Sequence, residues 1–476
     1  MDWCSLIRLE LVSYISAPLN HPQEGPEGMN SPLWIAQREG QDWIDQPCLD
    51  AIAWFRSLLE QRQWDARLET VQTNYESALT KWAQGEQVPL YDKDDAIFWY
   101  IHQANAFAQD RRNFFAPEGF RIAPVLHRLG LLLTHLQQIE GVDDRIETLL
   151  KKGRKTPDAG LYELLVAGAY KTRGWTTVQF VPEQLGGSKT PDLVVSGDRR
   201  RWSVECKRIN RSGYELEEHA YAEALAKSIH DLARRMRRRL VVDVQFCREL
   251  RDYPLDALVK YVERFIENPR ARFVMEEDNI IARIWDADWT NLDLVMAHDD
   301  VYFGSSRMVE LIKGEYDLSY EHSFSGEWTP STRMPLHADR VHHASIVSWR
   351  SASFDAAMAK AKHFRSTVGR AAQQLTLGLP SAVHVGYEAL GGSSEDELRH
   401  YLNAMEMLNF KSEGSRLRYV YANYLRPENS TARMEAWAVS ETTAFYRVGK
   451  HRTLEPLPHH LIFMDGDGTP GDHWQR

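Results

Sequence analysis

Thr190-Pro191-Asp192-Leu193-Val194-Val195-Ser196-Gly197-Asp198-Arg199-Arg200-Arg201-Trp202-Ser203-Val204-Glu205-Cys206-Lys207 is the stretch on which the fold turns. Two apolar, β-rich runs flank the polar segment from Gly197 to Arg200, a hairpin signal of the longer-loop kind. If the hairpin is symmetric about that segment, Asp192 lies directly across from Glu205. Alternation along a strand puts Glu205 and Lys207 on one face and Trp202, Val204 and Cys206 on the other. Directly opposed carboxylates repel. A fold that keeps such a pair is expected to place a cation between them.

Upstream of the hairpin, Thr156 is a good N-cap, Pro157 suits the first helical position, Asp158 favours the first turn and Gly174 ends the helix. Leu161, Leu164, Leu165 and Gly168 form its stripe, with Glu163 beside it. Trp175 to Val181 reads as a strand. Residues 17–32 read as a loop, and 41–152 as helical. Within that span Ile122, Val125, Leu126, Leu129, Leu132, Leu133 and Leu136 recur at spacings of three and four. No chemistry is visible there.

Downstream, a helix is expected from Leu216 to Arg239 and a strand from Leu240 to Phe246. A second helix-then-strand follows at Phe354–Leu375 and Ala382–Tyr387. Between them the pattern is mixed, with short strands expected at Ile280–Trp285 and Leu292–Met296. Two more strand signals lie at Tyr419–Tyr424 and Trp437–Val439. The organisation expected is therefore α+β: a mainly helical region at 1–152, a core at 153–390 with an insertion around 247–345, and an α+β region at 391–476.

A chain of 476 residues is too long for one ordinary core. No stretch approaches the roughly 18–20 apolar residues of a membrane span, and the first residues show no signal peptide. Cys4, Cys48, Cys206 and Cys247 form no C-x-x-C pair and no disulfide framework. A cytoplasmic protein with no membrane partner is expected. The formal net charge of −10 argues against a surface uniformly suited to nucleic acid. It leaves room for a basic track: Arg199, Arg200 and Arg201, then Lys207, Arg208 and Arg211, then the run from Arg234 to Arg239.

Glu163 on a helix, Pro191-Asp192 at a strand start and Glu205-Cys206-Lys207 on the next strand resemble the PD-(D/E)XK nuclease superfamily, the restriction-endonuclease-like fold. The resemblance covers residues 156 to 208. It implies a mixed sheet flanked by helices, with Glu163, Asp192, Glu205 and Lys207 as catalytic residues. Asp192, Glu205 and Glu163 would hold Mg²⁺, for which Mn²⁺ substitutes, because hard carboxylate oxygens suit such ions. Lys207 would orient the attacking water or stabilise the phosphorus centre. Cys206 would face away as a small buried side chain.

That fold needs a helix and a strand after the Glu205 strand. The near pair (216–246) is the economical choice. The far pair (354–387) is preferred, because Lys360, Lys362, Arg365, Arg370, Gln373 and Gln374 give it the basic and amide-bearing face that suits a phosphate backbone. Arg199, Arg200, Arg201, Arg208, Arg211, Lys360, Lys362, Arg365 and Gln373 are thus the expected nucleic-acid contacts. Elsewhere, Asp465-Gly466-Asp467-Gly468 lacks the acidic twelfth position of a calcium loop. His342-His343 and His459-His460 lack metal-ligand spacing, and Gly391-Gly392-Ser393-Ser394 reads as a linker.

The function expected is metal-dependent hydrolysis of DNA phosphodiesters, by analogy in restriction or anti-phage defence. A catalytically silent nucleic-acid-binding or scaffold protein and an RNA nuclease stand as alternatives. A homo-oligomer, or a partner ATPase or sensor, is compatible with the chain, which carries no nucleotide-binding fingerprint of its own.

Overall fold

The computed structural model describes residues 44–463 apart from 84–85, 87, 110–113, 183–189, 199, 210–212, 318, 333–336, 389–392, 413, 428–438 and 459–461. Arg199, Arg211, Trp437, His459-His460, Gly391-Gly392 and the Asp465 segment, all singled out above, lie outside the described residues, as does the 17–32 loop.

The chain opens with helices α1 (Gln46–Ser57), α2 (Gln61–Ala83), α3 (Ala96–Gln109), α4 (Ala116–Leu131), α5 (Leu133–Leu136) and α6 (Val142–Lys151). Helix α7 (Pro157–Thr172) follows, then strands β1 (Thr177–Phe180), β2 (Leu193–Gly197) and β3 (Arg200–Ile209). Thr156 sits at the N-cap of α7, but its hydroxyl makes no capping hydrogen bond. At the other end Gly174 is left-handed at φ 85°, and the Trp175 N–H reaches the Tyr170 carbonyl at 3.4 Å, closing the helix in a Schellman-like turn. Trp54, Trp99, Leu126 and Leu149 from the leading helices share one buried cluster with Leu164 of α7 and Trp202 of β3. The helical region is therefore fused to the first sheet by a common core.

After β3 the chain leaves that sheet. Helix α8 (Gly213–Met236), β4 (Leu240–Phe246), α9 (Val259–Glu267), β5 (Phe273–Glu277), β6 (Ile280–Asp286), α10 (Thr290–Met296), β7 (Val301–Tyr302), α11 (Ser306–Lys313), β8 (Glu321–Pro330) and β9 (His337–Ser351) build a second sheet. Its order is β5-β6-β4-β9-β7, with β8 paired to β9. The strand expected at Leu292–Met296 is instead α10. Its buried residues, Leu292 and Val295, lie three apart, while Leu294 is exposed, which is helical and not strand periodicity.

Helix α12 (Phe354–Ala372) and strand β10 (Pro380–Glu388) return to the first sheet, followed by α13 (Ser393–Leu408), β11 (Arg416–Pro427) and β12 (Val439–Arg447). The first sheet runs β1-β2-β3-β10-β11-β12, with β10 parallel to both β3 and β11. Thus the far helix and strand follow β3 in its own sheet, while the near strand, β4, belongs to the second. The strands at the end of the chain extend the first sheet and share a buried cluster with Val383, Val385 and Phe364. The architecture is α+β. Tyr162 of α7 lies so close to β10 that a Cβ at Gly386 would meet the Tyr162 ring at 2.4 Å, so only glycine fits there.

Burial pushes His102, His230 and His322 down to about 4. Below about pH 6.5 the unfolded imidazoles take up protons that the folded ones refuse. Stability is then lost as pH falls from 6.5 toward 4, at up to about 1.4 kcal/mol per pH unit for each histidine. Melting temperature followed against pH checks this, and His322→Asn is expected to flatten the acid limb.

Candidate active site

The hairpin register comes out as the symmetry argument requires. Leu193 pairs with Val204 and Gly197 with Arg200, so Asp192, one step before the pairing begins, stands opposite Glu205. Only Asp198 and Arg199 separate the paired residues, a tighter turn than the longer loop expected, and Asp198 takes φ 26°. The Asp192 N–H donates to Glu205 Oε2 at 3.2 Å, and the Cys206 N–H donates to Asp192 Oδ2 at 2.7 Å. The two carboxylates are therefore held by each other's backbone. Lys207 lies on the same face as Glu205 and donates from Nζ to its Oε1. Cys206 points the other way into the main core with Trp202 and Val204, where burial raises its thiol well above the usual range.

Glu163 reaches this place from α7. It is linked to the hairpin by a residue that sequence reasoning passed over: Arg145, in the first turn of α6. Arg145 donates to Glu163 Oε2, and its Nη2 lies 3.4 Å from Asp192 Oδ1. Its backbone is fixed, because its N–H bonds the Gly141 carbonyl at 3.0 Å and the Phe180 N–H of β1 bonds the Glu140 carbonyl at 3.0 Å. Nothing in the local pattern Val142-Asp143-Asp144-Arg145 separates this arginine from an ordinary surface charge.

Water is kept from the centre of the site and reaches its rim. Glu205 is 0% exposed, while Lys207 retains about 30% side-chain exposure. Burial first, then the charge of Asp192, push Glu163 and Glu205 up to about 8, against the pull of Arg145 and Lys207 respectively. Asp192 is raised by burial as well, partly offset by the Cys206 N–H, Lys207 and Arg145. For Lys207, burial pulls the ammonium down, but Glu205 and Asp192 outweigh it and the net shift is upward. Three carboxylates thus share a largely buried site with two cationic heads that reach its rim, one negative charge in excess when all are ionised.

Among the described residues no three His, Cys, Asp or Glu side chains converge as ligands of a metal ion. The geometry supplies the reason: Arg145 stands between Glu163 and Asp192, and Lys207 caps Glu205. The donor set itself fits a hard divalent cation. It consists of carboxylate oxygens whose burial favours anything that neutralises them.

The expected nucleic-acid contacts scatter. Arg200 and Arg201 are exposed at the hairpin tip, five and four residues from Glu205 or roughly 13–16 Å along the strand, and Arg200 lies over the Trp175 ring. Arg208 points away from Lys207 into a cleft of about 470 Å³, counting space open to solvent, lined also by Tyr100, Arg121, Asp158, Tyr162 and Glu388. Lys362 and Arg365 are exposed on α12 and Gln373 at its C-cap, with Arg365 paired to Glu406 at 2.8 Å. Lys360 is a correction. It is 4% exposed and its Nζ lies 2.7 Å from Glu218 Oε2, so it ties α12 to α8 and is not offered to a phosphate. In the run from Arg234 to Arg239, Arg234 pairs with Asp231, Arg238 with Asp286, and Arg239 stacks over Trp289.

No helix among the described residues is long and apolar enough to cross a membrane. No family model, no curated protein and no solved structure matches the chain.

Proposed function

We propose that this chain is a divalent-metal-dependent nuclease that hydrolyses DNA phosphodiesters, with a restriction-endonuclease-like core. The observation that carries this reading is the opposed pair Asp192 and Glu205, with Lys207 on the same face and Glu163 brought alongside from α7. The element order supports it. A helix and three antiparallel strands are followed, after the second sheet, by a helix and a strand parallel to β3. That is the order the PD-(D/E)XK resemblance implies.

In this reading Asp192, Glu205 and Glu163 would hold Mg²⁺ or Mn²⁺, which would supply polarisation of the scissile phosphate and a more acidic water. The chain's own residues do the rest. The Cys206 N–H fixes the Asp192 carboxylate, and the hairpin pairing keeps Glu205 facing it. Lys207, the most exposed cationic head at the site, is placed to hold the attacking water and to offset negative charge on the phosphate oxygens. Defence against foreign DNA, and an oligomeric state or partner ATPase or sensor, belong to the same proposal by analogy alone.

Plasmid and single-stranded DNA, with an RNA of the same sequence, are incubated with Mg²⁺ and with EDTA. Metal-dependent cleavage of DNA that Lys207→Ala lowers by about 10²-fold or more is expected; equal cleavage by both proteins removes the assigned site. A catalytically silent nucleic-acid-binding scaffold is the second reading, favoured by the carboxylates already being capped by Arg145 and Lys207. It predicts salt-sensitive DNA binding that survives Asp192→Ala, with no metal-dependent product. Cleavage of the RNA alone would assign the site to RNA.

A further inference from the structure

Arg145 comes from the helical region that precedes α7, where the sequence shows no chemistry, yet it contacts two of the three acids. Its guanidinium joins Glu163 to Asp192, the two carboxylates that a shared metal ion would join. It is charged at every accessible pH, so it cannot make room by losing a proton and must swing aside. Its backbone is pinned in the first turn of α6, which is tied to β1 through Glu140 and Phe180 and to α1 through the Trp54 Nε1–Asp143 Oδ1 hydrogen bond of 3.2 Å. Any movement is therefore confined to the side chain. That side chain keeps 17% exposure, which gives it a route toward solvent.

Resting on the metal-dependent reading above, we propose that Arg145 is a resident counter-ion that a divalent cation must displace from Glu163 and Asp192. The leading helical region thereby sets the affinity of the site for metal. Two physical facts govern the exchange. A divalent ion carries twice the charge of a guanidinium and approaches carboxylate oxygens more closely, so its attraction to both acids is larger. Without metal, removing Arg145 would take the paired cation from Glu163 and leave Asp192 with the Cys206 N–H and the charge of Lys207, which is costly for buried carboxylates. The arginine keeps the empty site folded and weakens metal binding by the fraction of time it occupies the carboxylates.

The test is Mn²⁺ binding to the full chain, followed by the electron paramagnetic resonance of free Mn²⁺ and by calorimetry, for wild type, Arg145→Ala and Arg145→Gln. Both variants are expected to bind Mn²⁺ about ten-fold more tightly or better. Their metal-free melting temperature is expected to fall, and the rise on adding Mn²⁺ to exceed that of wild type. Equal or weaker Mn²⁺ affinity in the variants, with binding still abolished by Asp192→Asn, overturns the counter-ion role and leaves the metal site standing. No Mn²⁺ binding by any of the folded proteins overturns both. Arg145→Gln, which keeps a hydrogen-bond donor toward Glu163, serves where the alanine variant does not fold.

Discussion

Glu205→Gln is expected to lower Mg²⁺-dependent DNA cleavage on the order of 10³-fold while leaving the melting temperature at pH 8 unchanged or higher. On the metal-dependent reading the loss follows from taking away a buried carboxylate oxygen that would hold the cation at the centre of the site, where charge stabilisation is strongest. The retained stability follows from the same burial. Glu205 is pushed up to about 8 by desolvation and by Asp192, so in the folded chain its ionised form is the disfavoured one. A group whose folded value is raised in this way makes the native state less stable as pH climbs from its ordinary value toward 8. A neutral glutamine escapes that penalty and still offers an oxygen to the Asp192 N–H, now 3.2 Å from Oε2, while Lys207, which loses its Oε1 partner, keeps about 30% side-chain exposure and turns to water. Cleavage rate and melting temperature measured on one preparation separate the two effects. A variant that loses activity by unfolding, or one that keeps full activity, contradicts the assignment.

The largest effect on stability is expected far from this site, in the second sheet. Asp243 of β4 is 1% exposed and serves two cations: Lys313 Nζ lies 2.8 Å from Oδ1 and Arg283 Nη2 lies 2.8 Å from Oδ2. The Lys313 side chain is 0% exposed. Asp243→Asn strips both of their shared charge and is expected to cost about 3–5 kcal/mol, as for other buried pairs broken from one side. Lys313→Met alone leaves Asp243 with Arg283 and is expected to cost less. In the double variant the two penalties are expected not to add, because the residues act on each other. Urea unfolding followed through the fluorescence of Trp285, Trp289 and Trp349, which lie in the same unit, reads the loss. A cost below about 1 kcal/mol would mean that water reaches the network.

What the sequence alone made legible has a common physical basis, which is local periodicity. Alternation along Leu193–Val195 and Trp202–Cys206 sets the hairpin register to the residue, because a slip of one would turn Trp202 and Val204 out of the core. It thereby places Asp192 opposite Glu205 and Lys207 beside it. Capping chemistry and helical spacing likewise marked α7, and with it Glu163. Periodicity failed where a segment was short: Leu292–Met296 alternates plausibly as a strand, but Leu292 and Val295 are buried as successive turns of a helix.

Tertiary structure decided the rest. Two helix-strand pairs after β3 carry similar periodicity, and the basic face that favoured the far pair is partly lost with the burial of Lys360, so it is long-range pairing that assigns β4 to the second sheet and β10 to the first. Charge lists cannot say who is paired, so Lys360, with the appearance of a phosphate contact, proves to be buried against Glu218. Arg145, with the appearance of an ordinary surface residue, lies between Glu163 and Asp192. A strand or helix face is written in neighbours two to four residues apart. The partner of a charge, 18 residues away for Glu163 and 47 for Asp192, is chosen only when the core closes and excludes water from both.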